Sequence, residues 1–540
     1  MTDHQPQPEF TATERAVLEP FVTSVDARIF GLRNLPEVVK GALFSRYSRS
    51  EKSIRRILLD EFIHQPESGF HQLVATPTNA SADQIVATKQ AEAFYDRVLV
   101  GYGDDSVAEL GGAHVACEDI SNVAAKILED ARIGLSPLEK STRYVSFTTK
   151  IDGAFRYVRE SSIMASPHAD AYIAAMDGLF EAYAALLAPT IGWVQSQSPR
   201  DANTSERAYT AATRAKAFDL LRGLLPMATR TNVGMYGNGR AFEYLITRAG
   251  SHDLTELQSI KTRLYDALSA MIPSFVKRAH SDRGAAMGAY LATIRVAGAD
   301  AARAIPTKEY AQTPNVQLVA YQQDALQRVV TAILYPHADA DYDTVAAHVA
   351  TLDHAQCAAL VAQASGERAV RFHKPGRAFE EAVYTFDIIA DIGAYRDLQR
   401  HRMLTQERQP YGVELGYSVP PELIAAGLDG PFRAAIEQAI TVTRRIRADL
   451  PTASQYAVPM ACHMRWRFTL NLREAFHLCE LRSSQQGHPA YRRVAQDIYR
   501  LLSAVHPTLT AAMHFVDMHD HPLERLAAEQ RLDKKLASQK

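Results

Sequence analysis

Hydrophobic positions along the chain recur mainly at intervals of three and four residues, the spacing of one face of an α-helix. Examples are AAMDGLFEAYAALLAP, LTELQSIKTRLYDALSAMI and YRRVAQDIYRLLSAV. Short runs such as YVSFTT and VQLVAY alternate or are rich in β-branched residues, so we expect them to be strands. The pattern predicts an α+β fold that is predominantly helical, with small β-sheets.

A faint internal repeat runs along the chain in a fixed order of landmarks, which is the signature of a duplicated unit. VDARIFGLRNLPEVVKGAL from Val25 has a counterpart in VQLVAYQQDALQRVVTAIL from Val316. Three further pairs follow in the same order: Glu109 and Glu380, Arg222-x-x-x-Pro226 and Arg447-x-x-x-Pro451, and Asn238-x-Arg240 and Asn471-x-Arg473. We interpret the chain as two diverged copies of one domain in tandem.

The predicted boundaries follow from where the periodicity is lost. Between the copies, ATIRVAGADAARAIPTKEYAQTPN carries Pro306 and Pro314 and reads as a linker. The predicted order is a tail at 1–24, a first domain at 25–285, a linker at 286–315, a second domain at 316–525 and a tail at 526–540. The first copy has an extra stretch near 150–205, because Glu109 and Pro226 are 117 residues apart whereas Glu380 and Pro451 are 71 apart.

Composition excludes several classes of function. The 540 residues carry 59 Lys and Arg against 61 Asp and Glu, so no bulk positive field exists to hold a nucleic acid polymer or an anionic membrane. We find no apolar run long enough to span a bilayer and no export signal at the start, so we expect a cytoplasmic protein. The four cysteines are far apart without a C-x-x-C pair, which predicts neither a metal site nor a disulfide framework.

The densest chemical signal is Arg400-His401-Arg402. Two guanidinium groups beside an imidazole can grip phosphates or the pyrophosphate of a flavin, because Arg is permanently charged and donates bidentate hydrogen bonds. A solvated basic turn is the alternative. In the first copy, Ser141 and Arg143 can together hold a phosphate, and an ordinary exposed loop is the alternative there.

Two further arginines stand at the end of the second copy. Arg473 and Arg482 are nine residues apart, which places them on opposite faces of a helix and predicts different ligands. Arg482 can stabilise negative charge that develops on a uracil-like ring. Pairing with Glu480 or capping the helix end is the alternative.

Taken together, the order and spacing resemble the flavin-dependent thymidylate synthases. In the second copy the resemblance covers about 316–520 and is carried by Glu380, Arg400, His401, Arg402, Arg447, Asn471, Arg473, His477 and Arg482. In the first copy it is carried by Ser106-Val-Ala-Glu109, Ser136-x-x-Glu139-x-Ser141-x-Arg143-Tyr144, Arg222, Asn238, Arg240 and Arg248.

The resemblance implies a fold, a reaction and a set of roles. The family is homotetrameric and α+β, binds FAD, and methylates the pyrimidine nucleotide dUMP with methylenetetrahydrofolate and NADPH. Two copies per chain imply a homodimer that mimics four subunits. Carried over, the roles are cofactor binding by Arg400, His401, Arg402, Asn471, Arg473 and His477, substrate binding by Glu139, Ser141, Arg143, Arg222, Arg447 and Arg248, and polarisation of the uracil by Arg482.

The chain departs from the family pattern because one continuous motif is split between the copies. The second copy keeps Arg-His-Arg and continues Thr405-Gln-Glu407-Arg-Gln-Pro410-Tyr411, without the Ser-x-Arg clamp. The first copy keeps Ser141 and Arg143 and reads Ala131-Arg132-Ile133 in place of Arg-His-Arg. The leading hypothesis is therefore a duplicated, FAD-dependent relative of thymidylate synthase. A non-catalytic nucleotide- or flavin-binding scaffold and a flavoenzyme with another substrate are the alternatives.

Overall fold

The computed structural model describes residues 10–48, 50–64, 108–306 and 313–538. Ser106 of the first-copy motif lies outside these residues, and so does the Gly103-Asp104-Asp105 segment before it. The described chain divides into two compact units. Unit 1 comprises 10–48, 50–64, 108–118, 130–139 and 232–306, and unit 2 comprises 119–129, 140–231 and 313–538. The predicted domain boundaries stay a prediction.

Helices make up most of both units. The α-helices among the described residues are α1 Ala12–Leu18, α2 Glu37–Tyr47, α3 Ile54–Ile57, α4 Asn122–Glu129, α5 Ser161–Met164, α6 Ala169–Gln197, α7 Glu206–Leu221, α8 Gly239–Gly250, α9 Thr255–Ser269, α10 Pro273–Val276, α11 Asp282–Ala302, α12 Ala325–Leu334, α13 Tyr342–Ala350, α14 His354–Ser365, α15 Ile392–Leu398, α16 Pro421–Ala425, α17 Asp429–Asp449, α18 Leu472–Arg482, α19 Pro489–Val505, α20 Pro507–Thr510 and α21 Leu526–Ala537. A π-helical segment at Leu58–Ile63 continues α3.

In the part of the chain that the structure describes, seven strands form two small sheets. They are β1 Gly112–Ser121, β2 Leu135–Glu139, β3 Arg230–Asn238, β4 Asn315–Tyr321, β5 Val383–Asp391, β6 Leu404–Arg408 and β7 His463–Asn471. The strand order is β1-β3-β2 in one sheet and β4-β5-β7-β6 in the other. The result confirms the predicted α+β class with small sheets.

The two sheets repeat one topology, which supports the duplication. Within each copy the chain runs strand, short helix, strand, long helices, strand, helix: β1, α4, β2, α7, β3, α8 in the first, and β5, α15, β6, α17, β7, α18 in the second. In each copy the last of these three strands lies between the first two: β3 lies between β1 and β2, and β7 lies between β5 and β6. The same three-strand arrangement therefore positions the first residues of α8 and of α18.

The core of unit 2 surrounds strands β5 and β7, which pair antiparallel from Val383↔Asn471 to Asp391↔His463. Alternate side chains of both strands are buried, as expected where one face of a sheet packs against helices. Trp466, Tyr384 and Tyr395 are among the largest fully buried side chains. This rigid sheet fixes the start of α18, and thereby the candidate site.

The core of unit 1 lies under α8, whose buried face carries Phe242, Leu245 and Ile246. These residues pack toward α9 and α10. Gly239 at the start of α8 is so close to Phe275 that a Cβ there would lie 2.4 Å from the Cβ of Phe275. A side chain at this position would force the helices apart.

One predicted strand is absent, and the segments predicted as linker and C-terminal tail contain helices. The run YVSFTT at 144–149 forms no strand, because the segment is a turn followed by irregular chain, whereas VQLVAY lies in β4 as predicted. Most of the predicted linker is helical, since α11 covers Asp282–Ala302. The predicted C-terminal tail forms α21, which packs on α7.

One helix of unit 2 has the length and hydropathy that a membrane span requires. It is α6, Ala169–Gln197, within the extra stretch of the first copy, and it is the single such helix among the described residues. One face of the helix, including Met176, Leu179 and Phe180, is buried. It packs against α7 and α17, which is the behaviour of a core helix.

Candidate active site

A pocket of about 300 Å³ opens in unit 2 where the loop after α15, the segment before β5 and helix α18 meet. The pocket is lined by Lys374, Glu380, Arg400, His401, Arg402, Met403, Asn471, Arg473, Glu474, His477, Leu481 and Arg482. All six residues for which a cofactor-binding role was expected line it, together with Arg482. The structure therefore brings together the second-copy residues that the sequence had separated by up to 82 positions, from Arg400 to Arg482.

The charges in this pocket favour an anionic ligand. Its walls carry five cationic side chains, from Lys374, Arg400, Arg402, Arg473 and Arg482, against two carboxylates, from Glu380 and Glu474. Guanidinium groups in a concave site are suited to phosphate or pyrophosphate, because they donate paired hydrogen bonds and stay charged at every accessible pH. The donor set fits the pyrophosphate and carbonyl oxygens of a flavin.

Helix α18 explains how two arginines from opposite faces reach one pocket. Glu474, His477 and Leu481 recur at intervals of three and four, so they share one face of the helix. Arg473 precedes that face and Arg482 follows it, each about 100° to one side. Both long side chains therefore flank the same cavity. That they bind different ligands stays a prediction.

A chain of hydrogen bonds links the middle of this pocket to Arg482. Glu474 Oε1 lies 2.6 Å from His401 Nδ1, and Arg482 Nε donates to His401 Nε2 at 2.8 Å. Because Arg has no acceptor, His401 Nε2 must be the unprotonated nitrogen, and Nδ1–H then donates to Glu474. Glu474 thus fixes the tautomer of His401, and His401 fixes the guanidinium of Arg482.

The imidazoles of this pocket are neutral. Burial lowers the pKa of His401 well below its usual value, and the nearby charges of Arg482 and Arg400 lower it further. Burial also lowers the pKa of His477 to about 4. For Glu474, burial raises the pKa. A neutral His401 therefore orients the guanidinium of Arg482 without adding a charge of its own.

Three of these groups have the composition of a metal site. Donor atoms of His401, Glu474 and His477 all lie within 4.8 Å of one another. However, His401 Nε2 already accepts from Arg482, and the charges of Lys374 and the arginines surround the cluster. Repulsion from these cations opposes a divalent ion, so the arrangement favours anions.

The base of the pocket is held by a cap and an ion pair. Asn471 Oδ1 accepts from the backbone N–H of Glu474 at 2.9 Å and so begins α18. Arg473 Nη1 lies 3.2 Å from Glu380 Oε1, and its Nε donates to the carbonyl of Pro375 at 3.0 Å. Glu380 therefore orients Arg473, which remains 40% exposed.

Arg143 of the first copy meets the second copy inside unit 2. Its Nε donates to Asp219 Oδ1 at 2.7 Å, and its Nη1 lies 3.4 Å from the hydroxyl of Tyr491. The guanidinium of Arg482 lies 5.7 Å from the centre of the same tyrosine ring. Arg143 of the first copy and Arg482 of the second therefore both approach Tyr491 within one chain.

Asp219 changes the expectation for Arg143. The ion pair is buried, and Arg143 does not line the cationic pocket. Burial would raise the pKa of Asp219, but the charge and hydrogen bonds of Arg143 hold it below its usual range. A carboxylate is therefore paired with Arg143, for which the resemblance implied substrate binding.

The other residues expected to bind substrate are dispersed. Arg222 is buried, donates to Asp397 at 3.3 Å and lines a separate cavity of about 470 Å³ in unit 2. Arg447 is exposed on α17, and Arg248 pairs with Asp130 at 3.4 Å in unit 1. Ser141 Oγ accepts from the backbone N–H of Arg143, and Glu139 ends β2. None of these residues lines the cationic pocket.

The alternative role of Arg482, an ion pair with Glu480, is not present. Glu480 pairs with Arg368 at 2.6 Å, and both side chains are buried.

Sequence reasoning missed several residues of this region. Glu474 carried a signal, because it lies three residues after Asn471 and four before Leu478 on an apolar helix, where a buried carboxylate needs a partner. Asp397 carried one as well, since it stands three residues before Arg400, with which it pairs. Lys374 and Asp219 carried none, because their partners lie far away in the chain.

One known protein family matches two segments of this chain. The family model described as thymidylate synthase complementing protein matches residues 62–274 and 317–508. The chain belongs to this family. The two matched segments correspond to the two copies, so the thymidylate synthase complementing fold is present twice, as the internal repeat predicted.

Relatives of the same length are known. The chain is 41% identical to the "UPF0159 protein" of Chlamydia muridarum over 97% of this chain and 98% of that one. It is 32% identical to the "UPF0159 protein Ta1429" of Thermoplasma acidophilum over 91% of this chain and 98% of that one. The similarity to these two proteins therefore extends over at least 91% of this chain and 98% of each relative.

A solved structure has a partial likeness. A UMP/dUMP methylase from Streptomyces cacaoi, bound to 5-Br dUMP, matches 38% of this chain and 96% of its own with 20% identity and a TM-score of 0.32. Membership of the thymidylate synthase complementing family, rather than this likeness, supports a role related to thymidylate synthesis.

Proposed function

We propose that this protein is an FAD-dependent thymidylate synthase that methylates dUMP to dTMP with methylenetetrahydrofolate and NADPH. The observation that carries the proposal is the convergence of Arg400, Arg402, Arg473 and Arg482 on one cavity. Scattered surface arginines would have indicated a basic surface only. Four guanidinium groups around a concave site, in a member of this family, support an anionic cofactor and an anionic substrate.

Residues in different parts of the pocket have different roles in this proposal. Arg400, Arg402 and Arg473 surround the open part of the pocket and hold the pyrophosphate of the flavin, with Asn471 shaping the helix start beneath it. When bound, the flavin supplies the hydride that reduces the transferred one-carbon unit. His477 lines the wall of the same cavity, and its buried Nδ1 has no hydrogen-bond partner among the described residues, so it can accept a hydrogen bond from the cofactor.

Arg482 acts on the substrate. Its guanidinium, held by the neutral His401, stabilises negative charge that develops on the carbonyl oxygen of the uracil ring when the ring carbon reacts. A carboxylate partner would cancel this charge, whereas a neutral imidazole orients it at no such cost. The two hydrogen bonds of His401, one to Glu474 and one from Arg482, are therefore part of the proposed function because they orient Arg482.

One chain supplies one such pocket in this proposal, and two chains form a homodimer that mimics a tetramer. The split motif favours a second candidate, a scaffold that binds flavin or nucleotide without turnover, because Asp219 occupies the first-copy clamp. Release of tritium from dUMP labelled at the ring carbon, with methylenetetrahydrofolate and NADPH present, separates the two.

The experiment that tests the proposal is flavin analysis of the purified protein and of the variant Arg400→Ala/Arg402→Ala. We expect the wild type to bind FAD and the double variant to lose it, because each charge-assisted hydrogen bond contributes about 1.5–3 kcal/mol. Tritium release should be lost in parallel. Unchanged flavin content in the double variant would contradict the proposed site.

A further inference from the structure

Arg525 is a buried cation that makes no direct ion pair with a carboxylate among the described residues. The residue is 6% exposed, and its Nη1 is fully buried without a hydrogen-bond partner among them. No carboxylate of the described chain forms an ion pair with it. A buried guanidinium left in this state is costly, so each such group in a folded protein calls for a partner that completes it.

The position of Arg525 is fixed from both sides. Glu524, the preceding residue, accepts from Lys216 Nζ at 2.7 Å, and Lys216 lies one turn before Asp219 on α7. The guanidinium carbon of Arg525 stacks 3.9 Å above the ring centre of Tyr144. Tyr144 directly follows Arg143, so Arg525 is held beside the first-copy clamp.

The balance of charge at this place is positive. Asp219 cancels one guanidinium, that of Arg143, with which it forms two hydrogen bonds. Burial and the charge of Arg143 lower the pKa of Arg525, and the charge of Asp219 opposes them in part. The guanidinium groups of Arg143 and Arg525 lie near one carboxylate, that of Asp219. The net positive charge favours one more negative group at this place.

We propose that Arg525 binds the phosphate monoester group of the nucleotide, beside the Arg143–Asp219 ion pair. The inference rests on the proposed function for the identity of the nucleotide, and on the buried guanidinium without a direct ion pair for the phosphate. Arg525 lies beyond residue 508, where the match to the family model ends. The C-terminal segment of this chain therefore restores the charge that the split motif lost.

The inference predicts an unusual effect on stability. Removal of a structural arginine destabilises a protein, whereas removal of a buried charge that has no partner does not. We therefore expect Arg525→Met to have a melting temperature without ligand no lower than that of the wild type. A large fall would assign Arg525 a structural role and contradict the inference.

The decisive experiment is calorimetric titration of the full-length wild type, Arg525→Met and Arg525→Lys with dUMP, deoxyuridine and inorganic phosphate. We expect Arg525→Met to bind dUMP about 10-fold more weakly or worse and deoxyuridine unchanged, with Arg525→Lys between them. The matched control is Arg207→Met, because Arg207 docks the same C-terminal helix through Glu529, at 3.1 Å, outside the site. It should leave dUMP affinity unchanged.

The outcomes separate this inference from the proposed function. Equal dUMP affinity in the wild type and Arg525→Met overturns the inference while the proposed function stands. Binding of inorganic phosphate that Arg525→Met abolishes, without binding of dUMP, supports the phosphate site and contradicts the proposed function. Absence of binding by all three ligands to the wild type contradicts both.

Discussion

The two copies share the same fold and helix caps but differ in the partner of their last arginine. Asn238 and Asn471 both cap the helix that follows the middle strand, at 2.8 and 2.9 Å. In each copy the arginine two residues later pairs with the glutamate before the first strand, Arg240 with Glu109 at 2.8 Å and Arg473 with Glu380 at 3.2 Å. The scaffold has therefore survived in both.

The difference lies in the partner of the last arginine. Arg248 of the first copy pairs with Asp130 at 3.4 Å, whereas Arg482 of the second donates to the neutral His401 at 2.8 Å. A carboxylate cancels the positive charge, and a neutral imidazole orients it without cancelling it. The two copies therefore differ in the charge around the last arginine rather than in their backbone fold.

The largest expected effect separates these two arginines. Arg482→Ala should lower the turnover number in the tritium-release assay by about 10²–10³-fold, as loss of a charge-stabilising donor does elsewhere. Arg248→Ala should leave turnover nearly unchanged and weaken the fold by about 1 kcal/mol or less, because its ion pair is partly exposed. Equal losses of turnover in both variants would remove the distinction between the copies.

A second pair of variants tests the arginine after the cap. Arg473→Ala should weaken FAD binding about 10-fold, since one charged donor to the pyrophosphate is lost. Arg240→Ala removes the equivalent ion pair of the first copy and should leave the FAD dissociation constant unchanged. Fluorescence titration of both apoproteins with FAD measures the difference, and a weaker affinity in Arg240→Ala would place flavin in the first copy.

Some of this asymmetry was readable in the sequence. Arg-His-Arg at 400–402, Asn471-x-Arg473 and the final Arg482 were predicted as one set, because their order and spacing match a known pattern. The partners that decide the charge balance were not predicted. Asp219 is 76 residues from Arg143 in the chain, and no local periodicity connects them.

The extra stretch and the chain end show the same limit. The apolar pattern of α6 was visible, but its packing against α17 depends on the tertiary fold. The segment YVSFTT has strand propensity and forms none, since context overrides propensity in short runs. The proposed role of Arg525 could not be predicted from the sequence, because it depends on residues such as Tyr144 that are distant in the chain and approach Arg525 only after folding.

Replacement of Glu474 sharpens the role of the hydrogen-bond chain. Glu474→Ala leaves the buried His401 Nδ1–H without an acceptor, which should lower the free energy of unfolding by about 1–3 kcal/mol. Glu474→Gln keeps an acceptor and should recover most of the stability. We expect turnover to fall more than the KM for dUMP rises in both variants, because Arg482 is misoriented rather than removed. Urea titration and steady-state kinetics check these two results.

The smallest expected effect concerns pH. The unfolded chain protonates His477 near pH 6.5, whereas the folded protein resists protonation until about pH 4 because the ring is buried. Stability should therefore decrease as the pH falls from 6.5 toward 4, by on the order of 1 kcal/mol from this residue after allowance for its partial exposure. His477→Asn should show a correspondingly flatter dependence in urea unfolding. Parallel curves for the two proteins would contradict a neutral, buried His477.

The most direct test of the account is the number of flavins per chain. The full-length apoprotein is saturated with FAD, unbound cofactor is removed, and the ratio of flavin to protein is measured by absorbance. The account predicts one FAD per chain of 540 residues, lost in Arg400→Ala/Arg402→Ala, because the cationic pocket assigned to the flavin lies in the second copy. Two flavins per chain, or none, would contradict it.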